Sequence, residues 1–367
     1  MQKKIGIVTW ITYHNFGTFL QAYALQRVVS SLGYENKILS DQKLVDEIHP
    51  KAGLFRRFLI TCYYCLFDFK GLWKGFRKAS ESYHSFEKDY LQVDHSWKNE
   101  SELNNRYDFF ICGSDQIWSP VIPFQPYYYL AFTRKKKIAY APSIGQDFYP
   151  EDRKSQMKEL LSDFTAVSVR EKRGAELLRS FINKPIETVV DPTLLVSSDL
   201  WYPLVEQGKT ESPYVLCYLL TFNEHYLRYV KQFAEKKCLP LKIFILDKRY
   251  LSFADEPIYA GPKEFLYQIF HSSYFFTDSF HGTIFAIHFK KWFRVFKRFK
   301  SGAANNQNSR VENLLSIAGL QDYFIDESEF DKIEQLPSIV YTEVKESIHK
   351  ERERSLLFLN KALMSQS

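Results

Sequence analysis

The feature that most constrains the fold is the way the chain begins, with an apolar run that leads through a polar loop into an amphipathic helix. The run is Ile5–Trp10, the loop is Thr12–Gly17, and the helix repeats its apolar residues at helical spacing until Gly33 ends it. Uninterrupted apolar runs of this kind are typical of strands that are buried on both faces of a parallel sheet. Further strands are predicted at 108–112, 137–141, 166–170 and 187–190, with a helix at 151–163. This alternation predicts an α/β domain.

A second alternation of the same kind starts after Trp201. It predicts strands at 214–220, 241–246, 273–278 and 291–296, and helices at 223–237, 261–271 and 283–289. A polar stretch, Ser197–Ser212, separates the two patterns, and 367 residues suffice for two hydrophobic cores. We therefore predict two Rossmann-like α/β domains, 1–200 and 201–340, that face each other across a cleft. A charged helix in 341–367 is expected to pack back on both domains.

Charge and hydropathy limit the partners and the location of the chain. The net charge of +6 suits anionic small molecules or a membrane surface, whereas no Lys/Arg run is long enough for a nucleic-acid arm. Neither a signal peptide nor an apolar stretch of membrane-spanning length is found, so we expect a cytoplasmic protein. Segment 51–78 mixes basic and aromatic residues. It is read either as a hairpin that docks on the inner face of the inner membrane or as a helical insertion packed on the first domain.

Several signatures of cofactor and metal sites are missing. The sequence has no G-x-G-x-x-G after its first strand, no G-x4-G-K-[ST] and no D-x-D. Cys62 and Cys65 form a C-x2-C pair, but no second pair or His cluster accompanies them. We therefore predict neither a metal nor a bound cofactor.

Two polar clusters in the first domain follow predicted strands, at the sheet edge where open α/β sheets bind ligands. The first contains Asn15 and Gly17, with Gln21 one turn further, and the second contains Asp115, Gln116 and Trp118. A carboxylate, amides and a flat indole are the groups that a sugar requires. The alternatives are that Asn15 and Gly17 serve turn geometry, and that the second cluster is a helix cap beside a core tryptophan.

Two further clusters offer groups for an anion. Arg170 ends a strand, and its planar guanidinium suits a carboxylate or phosphate, unless it forms a salt bridge with Glu171 or another acid. His281 and Gly282 lie between an apolar strand and an apolar helix, where the helix N-terminus favours phosphate. A capped helix with a structural histidine is the alternative. Arg310, before an amphipathic helix, is a second candidate cation.

Five segments, in this order, resemble the polysaccharide pyruvyl transferase family. They are N-F-G-T-F-L-Q-A-Y-A-L-Q (Asn15–Gln26), C-G-S-D-Q-I-W (Cys112–Trp118), S-V-R-E (Ser168–Glu171), V-D-P-T-L-L (Val190–Leu195) and D-S-F-H-G-T (Asp278–Thr283). The resemblance implies a GT-B-like fold, phosphoenolpyruvate as the donor, and a pyruvate ketal formed on a sugar. It also implies that Arg170 and His281 lie near the donor. Many members carry R-L-H in the last motif, and Ser279 stands at that Arg position here. We hypothesise that Arg310 replaces the missing charge.

These observations give each candidate residue an expected role. His281 is expected to act as general acid and base, and Asp115 to orient or deprotonate the acceptor. The residues expected to bind phosphoenolpyruvate are Arg170, Ser279, His281, Gly282 and Arg310. The residues expected to bind the acceptor are Asn15, Gly17, Gln21, Gln116 and Trp118. The acceptor is a sugar of a bacterial surface polysaccharide precursor, with or without a lipid carrier. Two alternatives stay open, a GT-B glycosyltransferase that uses a nucleotide sugar and a non-catalytic protein that binds sugars or anions.

Overall fold

A computed structural model describes residues 2–48, 71–205, 211–300 and 307–365. Most of the predicted basic aromatic segment, with Cys62 and Cys65, lies outside these ranges, so membrane docking stays a prediction. Residues 72–78 form the start of a long helix. No helix in the described ranges is long and apolar enough to cross a membrane.

The first unit of the fold is a seven-stranded parallel sheet with helices on its faces. Its strands are β1 (Lys4–Val8), β2 (Glu35–Leu39), β3 (Val93–Asp94), β4 (Phe109–Cys112), β5 (Lys137–Ala139), β6 (Ala166–Val169) and β7 (Ile186–Thr188). The helices are α1 (Phe16–Ser31), α2 (Gln42–Ile48), α3 (Leu72–Tyr90), α4 (Glu100–Arg106), α5 (Glu151–Leu161), α6 (Lys172–Arg179), α7 (Pro192–Leu195) and α8 (Tyr202–Val205).

The second unit is a six-stranded parallel sheet of the same design. Its strands are β8 (Val215–Tyr218), β9 (Leu241–Phe244), β10 (Glu256–Ile258), β11 (Tyr274–Thr277), β12 (Trp292–Phe296) and β13 (Phe324–Ile325). The helices are α9 (Glu224–Lys236), α10 (Pro262–His271), α11 (Phe280–His288), α12 (Asn308–Ala318) and α13 (Tyr341–Met364). The prediction of two Rossmann-like units is confirmed.

Both sheets reverse their strand order at one place. The order is β3-β2-β1-β4-β5-β6-β7 in the first sheet and β10-β9-β8-β11-β12-β13 in the second. Strand order therefore changes direction between β1 and β4, which pair in register Ile5 to Phe109, and between β8 and β11, which pair Val215 to Tyr274. In open α/β sheets the crevice beyond the carboxyl ends of two such strands is the usual ligand site.

An aromatic residue at the start of α1 fixes the two sheets relative to each other. The buried ring of Phe16 stacks on Phe265 with ring centroids 4.4 Å apart, and it lies 5.4 Å from Tyr218 and 5.5 Å from Phe244. All three partners belong to the second unit, so Phe16 inserts into the core of the opposite domain. A buried phenylalanine contributes about 3–5 kcal/mol relative to alanine, which makes this contact a main interdomain anchor.

The C-terminal helix α13 contacts both halves of the chain. Arg352 donates its Nε–H to the carbonyl of Leu194 (2.6 Å), and the Ser355 hydroxyl accepts from the Val190 N–H (3.0 Å). Val344 and Ile348, on the same helix, are buried in the core cluster that includes residues of α12. One helix thus fastens the connection after β7 to the second unit.

Candidate active site

A cavity of about 570 Å³ lies between the two points where strand order reverses. The first unit lines it with residues from 10–18 and 115–128, which follow β1 and β4. The second unit contributes Leu220 after β8, residues 278–281 after β11, Phe296 and Arg298 at the end of β12, and residues 307–311 of α12. Two ligand-binding edges thus face each other and enclose one space.

Each residue of the Asn15–Thr18 segment has a separate physical task. Asn15 caps α1, since its side-chain oxygen accepts from the N–H groups of Gly17 (2.9 Å) and Thr18 (3.3 Å). Phe16 anchors the opposite domain. A Cβ on Gly17 would lie 1.8 Å from Nδ1 of His281, so only glycine lets that imidazole approach. The Thr18 hydroxyl donates to Oδ2 of Asp115 (2.5 Å).

Asp115, the candidate for orienting or deprotonating the acceptor, and Gln116, a candidate acceptor-binding residue, line the cavity on the first-unit side. Asp115 is almost buried, and its Oδ1 also accepts the N–H of Gln116 (2.8 Å). The backbone of Asp115 is left-handed (φ 65°), a conformation that Asp tolerates better than most residues. The Gln116 side chain donates to Oε1 of Gln307 (3.3 Å) across the cavity. A held carboxylate and an amide therefore face a prospective ligand.

Three predicted acceptor-binding residues, Gly17, Gln21 and Trp118, do not line the cavity, and Gly17 packs against His281 instead. Gln21 is fully buried, and its side chain donates to Thr9 Oγ1 and the Thr18 carbonyl (both 2.9 Å) and accepts from Ser114 N–H (3.1 Å). Its three hydrogen bonds connect the ends of β1 and β4 to the first turn of α1.

Trp118 packs in the core of the first unit. It is fully buried, its ring stacks on Tyr129 at 5.3 Å, and its Nε1–H donates to the Tyr128 carbonyl (3.1 Å). The loop after β4 folds back over the sheet and buries this large apolar ring. Trp118 is therefore a core residue, as the alternative interpretation held, and does not offer its flat face to a sugar.

Arg170 also departs from the expected position. It is buried and does not line the cavity, because Nη1 donates to Oδ2 of Asp191 (2.8 Å) and the guanidinium lies over the Phe280 ring at 4.4 Å. The salt-bridge alternative therefore holds, with Asp191 and not Glu171 as the partner. Nε and Nη2 of Arg170 have no hydrogen-bond partner among the described residues. Removing one member of a buried pair costs about 3–5 kcal/mol, so this pair is also structural.

Asp191 joins Arg170 to His281. It caps α7, where Oδ1 accepts from the N–H (3.0 Å) and hydroxyl (2.7 Å) of Thr193. Oδ2 lies 3.5 Å from Nε2 of His281. Burial alone would raise the pKa of Asp191, but His281 and Arg170 together hold that pKa well below its usual range. Sequence analysis missed Asp191, which it quoted only within V-D-P-T-L-L.

His281 lies in the first turn of α11 and lines the cavity. This helix begins three residues before the predicted Thr283, because the Ser279 hydroxyl caps it by accepting the Gly282 N–H (3.2 Å). Ser279 lines the cavity too, whereas Gly282 does not. A Cβ on Gly282 would lie 2.7 Å from Thr277 Oγ1, so close packing of the helix on β11 explains this glycine, and not approach of a ligand.

Two guanidinium groups line the second-unit wall of the cavity. Arg310, half-buried, donates from Nη2 to Oε1 of Gln307 (2.8 Å), and its Nε has no partner among the described residues. Burial, with the nearby Arg170 cation, lowers the pKa of Arg310 to about 10, which leaves it charged at neutral pH. Arg298, which sequence analysis missed, donates from Nε to Thr221 Oγ1 (2.6 Å). Its position shortly after β12 is the signal that was available.

Asp278 is a further cavity residue that sequence analysis gave no role. Its carboxylate accepts from the N–H groups of Leu220 (2.6 Å) and Thr221 (3.1 Å), which ties the ends of β8 and β11 together. Burial raises the pKa of Asp278 to about 6 despite these hydrogen bonds. No group of three or more His, Cys, Asp or Glu side chains within the described ranges is arranged to hold a metal ion.

The sequence model of polysaccharide pyruvyl transferase matches residues 15–298, from the α1 cap to Arg298. The chain belongs to the polysaccharide pyruvyl transferase family. The resemblance drawn from the five motifs is thereby confirmed, and the cavity just described holds the pyruvyl transferase motifs that follow β1, β4 and β11. Among curated proteins none matches this chain in sequence.

Solved structures share the architecture of this pyruvyl transferase family member at low sequence identity. S. aureus MnaA, in a co-structure with UDP, is 10% identical with a TM-score of 0.51 over 98% of this chain and 91% of that one. The UDP-GlcNAc 2-epimerase of Methanocaldococcus jannaschii is 10% identical with a TM-score of 0.49 over 92% of each chain. Together with the two facing parallel sheets, the likeness to MnaA identifies the fold as GT-B-like.

Proposed function

We propose that this chain transfers the pyruvyl group of phosphoenolpyruvate to two hydroxyls of one sugar, as a ketal, in the synthesis of a bacterial surface polysaccharide. The observation that carries the proposal is the position of His281 in a chain of this family. Its imidazole has Nε2 3.5 Å from the Asp191 carboxylate on one side, borders the interdomain cavity on the other, and shares the second-unit wall of that cavity with two guanidinium groups.

The second-unit wall suits the donor. Phosphoenolpyruvate carries a carboxylate and a phosphate, and Arg298 and Arg310 present fixed positive charge in a half-buried setting where charge-assisted hydrogen bonds are strong. The N-terminus of α11 adds a partial positive charge at Ser279 and Phe280, although the Ser279 N–H itself is already donated to Thr277 Oγ1 (3.0 Å). Arg310 in particular supplies the cation that the family resemblance led us to expect at position 279.

The reaction needs a proton donor for the methylene carbon of the donor. With Nε2 of His281 facing Asp191, Nδ1 is the nitrogen left to exchange a proton with a substrate. A proton moves to the methylene carbon while one sugar hydroxyl bonds to the adjacent carbon and loses its own proton. The C–O bond to phosphate then breaks, and the second hydroxyl bonds to the same carbon and loses its proton to the departing phosphate, which gives the ketal and inorganic phosphate. A positioned general acid and base contributes about 10²–10⁴-fold.

The first-unit wall suits the acceptor. The Asp115 carboxylate is oriented by Thr18 and the Gln116 N–H, and each of its oxygens has lone pairs left for a sugar hydroxyl. We assign Asp115 the task of orienting or deprotonating the attacking hydroxyl, with Asn15 and Gln116 as hydrogen-bonding neighbours. Gly17 contributes by giving His281 its place.

Incubation of the purified protein with phosphoenolpyruvate and a panel of sugar acceptors tests the proposal. We expect acceptor-dependent phosphate release and a product whose mass increases by pyruvate less water. His281→Ala is expected to stay folded, as judged by circular dichroism, and to lose activity by about 10²-fold or more. Near-normal turnover of that variant would remove the assignment of His281. A product that gains a hexose from a nucleotide sugar would replace the proposal with the glycosyltransferase alternative.

A further inference from the structure

We infer that Trp10 and Tyr13 form the stacking surface for the acceptor sugar ring, a role that rests on the proposed function. Both residues follow β1 and line the cavity on the first-unit side, facing the wall that carries the guanidinium groups. They can provide the flat aromatic face that was predicted for Trp118, whose ring lies in the core.

The two rings are accessible and close to each other. The Tyr13 side chain is 43% exposed and Trp10 is half-buried, with ring centroids 5.5 Å apart and ring planes inclined by 60°. Neither the indole N–H nor the phenol hydroxyl forms a hydrogen bond to any residue that the structure describes. Each ring thus offers an apolar face and one free polar group, the combination that a sugar's C–H face and hydroxyls require.

The backbone that carries these rings is held in place. The Thr12 hydroxyl donates to the buried carboxylate of Asp41, and the carbonyl of Tyr13 accepts from Asn15 N–H (2.8 Å). Behind Trp10 lies the buried ring of Tyr128, edge-on at 6.3 Å, whose hydroxyl also donates to Asp41 (3.0 Å). Because hydrogen bonds already hold the backbone that carries the two rings, this surface loses little conformational entropy when a ligand binds.

The polar surroundings favour a neutral polyol at this wall. Gln116 and Gln125 line the cavity from the same unit as the rings and provide amide groups, whereas the cationic side chains, Arg298 and Arg310, belong to the other unit. A dianionic donor is attracted to the cations, and the aromatic wall is left for the ring of the acceptor. A uracil base is the competing occupant, because a flat base stacks on the same rings.

Ligand-observed NMR tests the surface without requiring turnover. The probes are methyl glycosides of glucose, galactose and mannose, with wild type, Trp10→Ala, Tyr13→Ala and Phe148→Ala. Phe148 is 46% exposed and does not line the cavity, so it is the matched aromatic control. We expect saturation transfer to at least one glycoside in the wild type and Phe148→Ala, and its loss in the other two. No binding to the wild type, equal binding by all variants, or displacement of the glycoside by UDP but not by free sugar would overturn the inference.

Kinetics separate this surface from the donor site. Trp10→Ala and Tyr13→Ala should each raise the acceptor KM roughly tenfold and leave the phosphoenolpyruvate KM unchanged, and Trp10→Phe should recover most of the loss. A parallel rise of both KM values would contradict the assignment. If the wild type releases no phosphate from phosphoenolpyruvate but glycoside binding still depends on Trp10, the proposed function fails and the sugar surface stands.

Discussion

Gly17→Ala tests whether the position of the His281 imidazole decides the activity. The change adds one methyl group and removes no functional group, and Gly17 is not among the glycines with left-handed φ. The new Cβ would lie 1.8 Å from Nδ1, 2.4 Å from Cγ and 2.5 Å from Cε1 of His281. To reach an ordinary contact distance the imidazole must move by roughly 1.5 Å.

Two effects of this substitution on stability oppose each other. Alanine in place of a helical glycine gains about 1 kcal/mol, whereas forcing extra volume into a packed site costs about 1–3 kcal/mol. The net loss in the free energy of unfolding is therefore at most about 2 kcal/mol. Displacing a catalytic group by an ångström or more costs about 10²-fold in rate. We expect a kcat reduced by about 10²-fold or more in a protein that remains folded.

The assay is phosphate release at saturating substrates, with denaturant unfolding measured on the same preparation. Gly174→Ala is the matched control, because Gly174 also lies in a helix and its added Cβ would meet nothing nearer than 3.3 Å, at Glu171 Oε2. That control should keep kcat near the wild-type value. A folded Gly17→Ala variant with full kcat would refute the reasoning, since the imidazole would then tolerate displacement.

Three further predictions address the donor site, the domain anchor and a buried histidine. Arg310→Ala should raise the phosphoenolpyruvate KM roughly 10- to 100-fold, as expected for a lost hydrogen bond to a charged group, and Arg310→Lys should recover part of it; an unchanged KM removes Arg310 from the donor site. Phe16→Ala should lower the free energy of unfolding by about 3–5 kcal/mol in denaturant titrations, whereas Phe148→Ala should leave it nearly unchanged; similar losses in both would contradict the anchor. Burial lowers the pKa of His288 from 6.5 to about 4, and its Nε2 lies 2.8 Å from the Thr193 carbonyl. The stability that this neutral histidine contributes is present above pH 6.5 and is lost as pH falls through about 4, so stability should decline less over this range in His288→Gln than in the wild type.

The strands and the place of the cavity were predictable because they depend on local pattern. Apolar runs such as those of β1, β4, β8 and β11 are buried whichever neighbours they pair with, and the loops after them must meet at the same sheet edge. The sequence could not fix where the helices begin to within a turn. Ser279 decides that α11 starts at Phe280, and only the three-dimensional position of its hydroxyl shows this.

The roles of single side chains were less predictable, because they depend on contacts between distant segments. Trp10 and Trp118 both follow an apolar strand, yet one lines the cavity and the other is core, according to how each loop folds back. Arg170 was the first candidate cation from the sequence and Arg310 the second. Asp191 pairs with Arg170 and so keeps it out of the cavity, and Asp191 also contacts His281, which lies 90 residues further along the chain. No local sequence pattern indicates either contact.

A crystal structure of the protein soaked with phosphoenolpyruvate is the measurement that bears most directly on the central claim. The account predicts the phosphate and carboxylate on Arg298, Arg310 and the start of α11, with the methylene carbon within reach of Nδ1 of His281 and the Trp10 wall left open. Phosphoenolpyruvate bound away from the cavity, or a methylene carbon out of reach of His281, would contradict it.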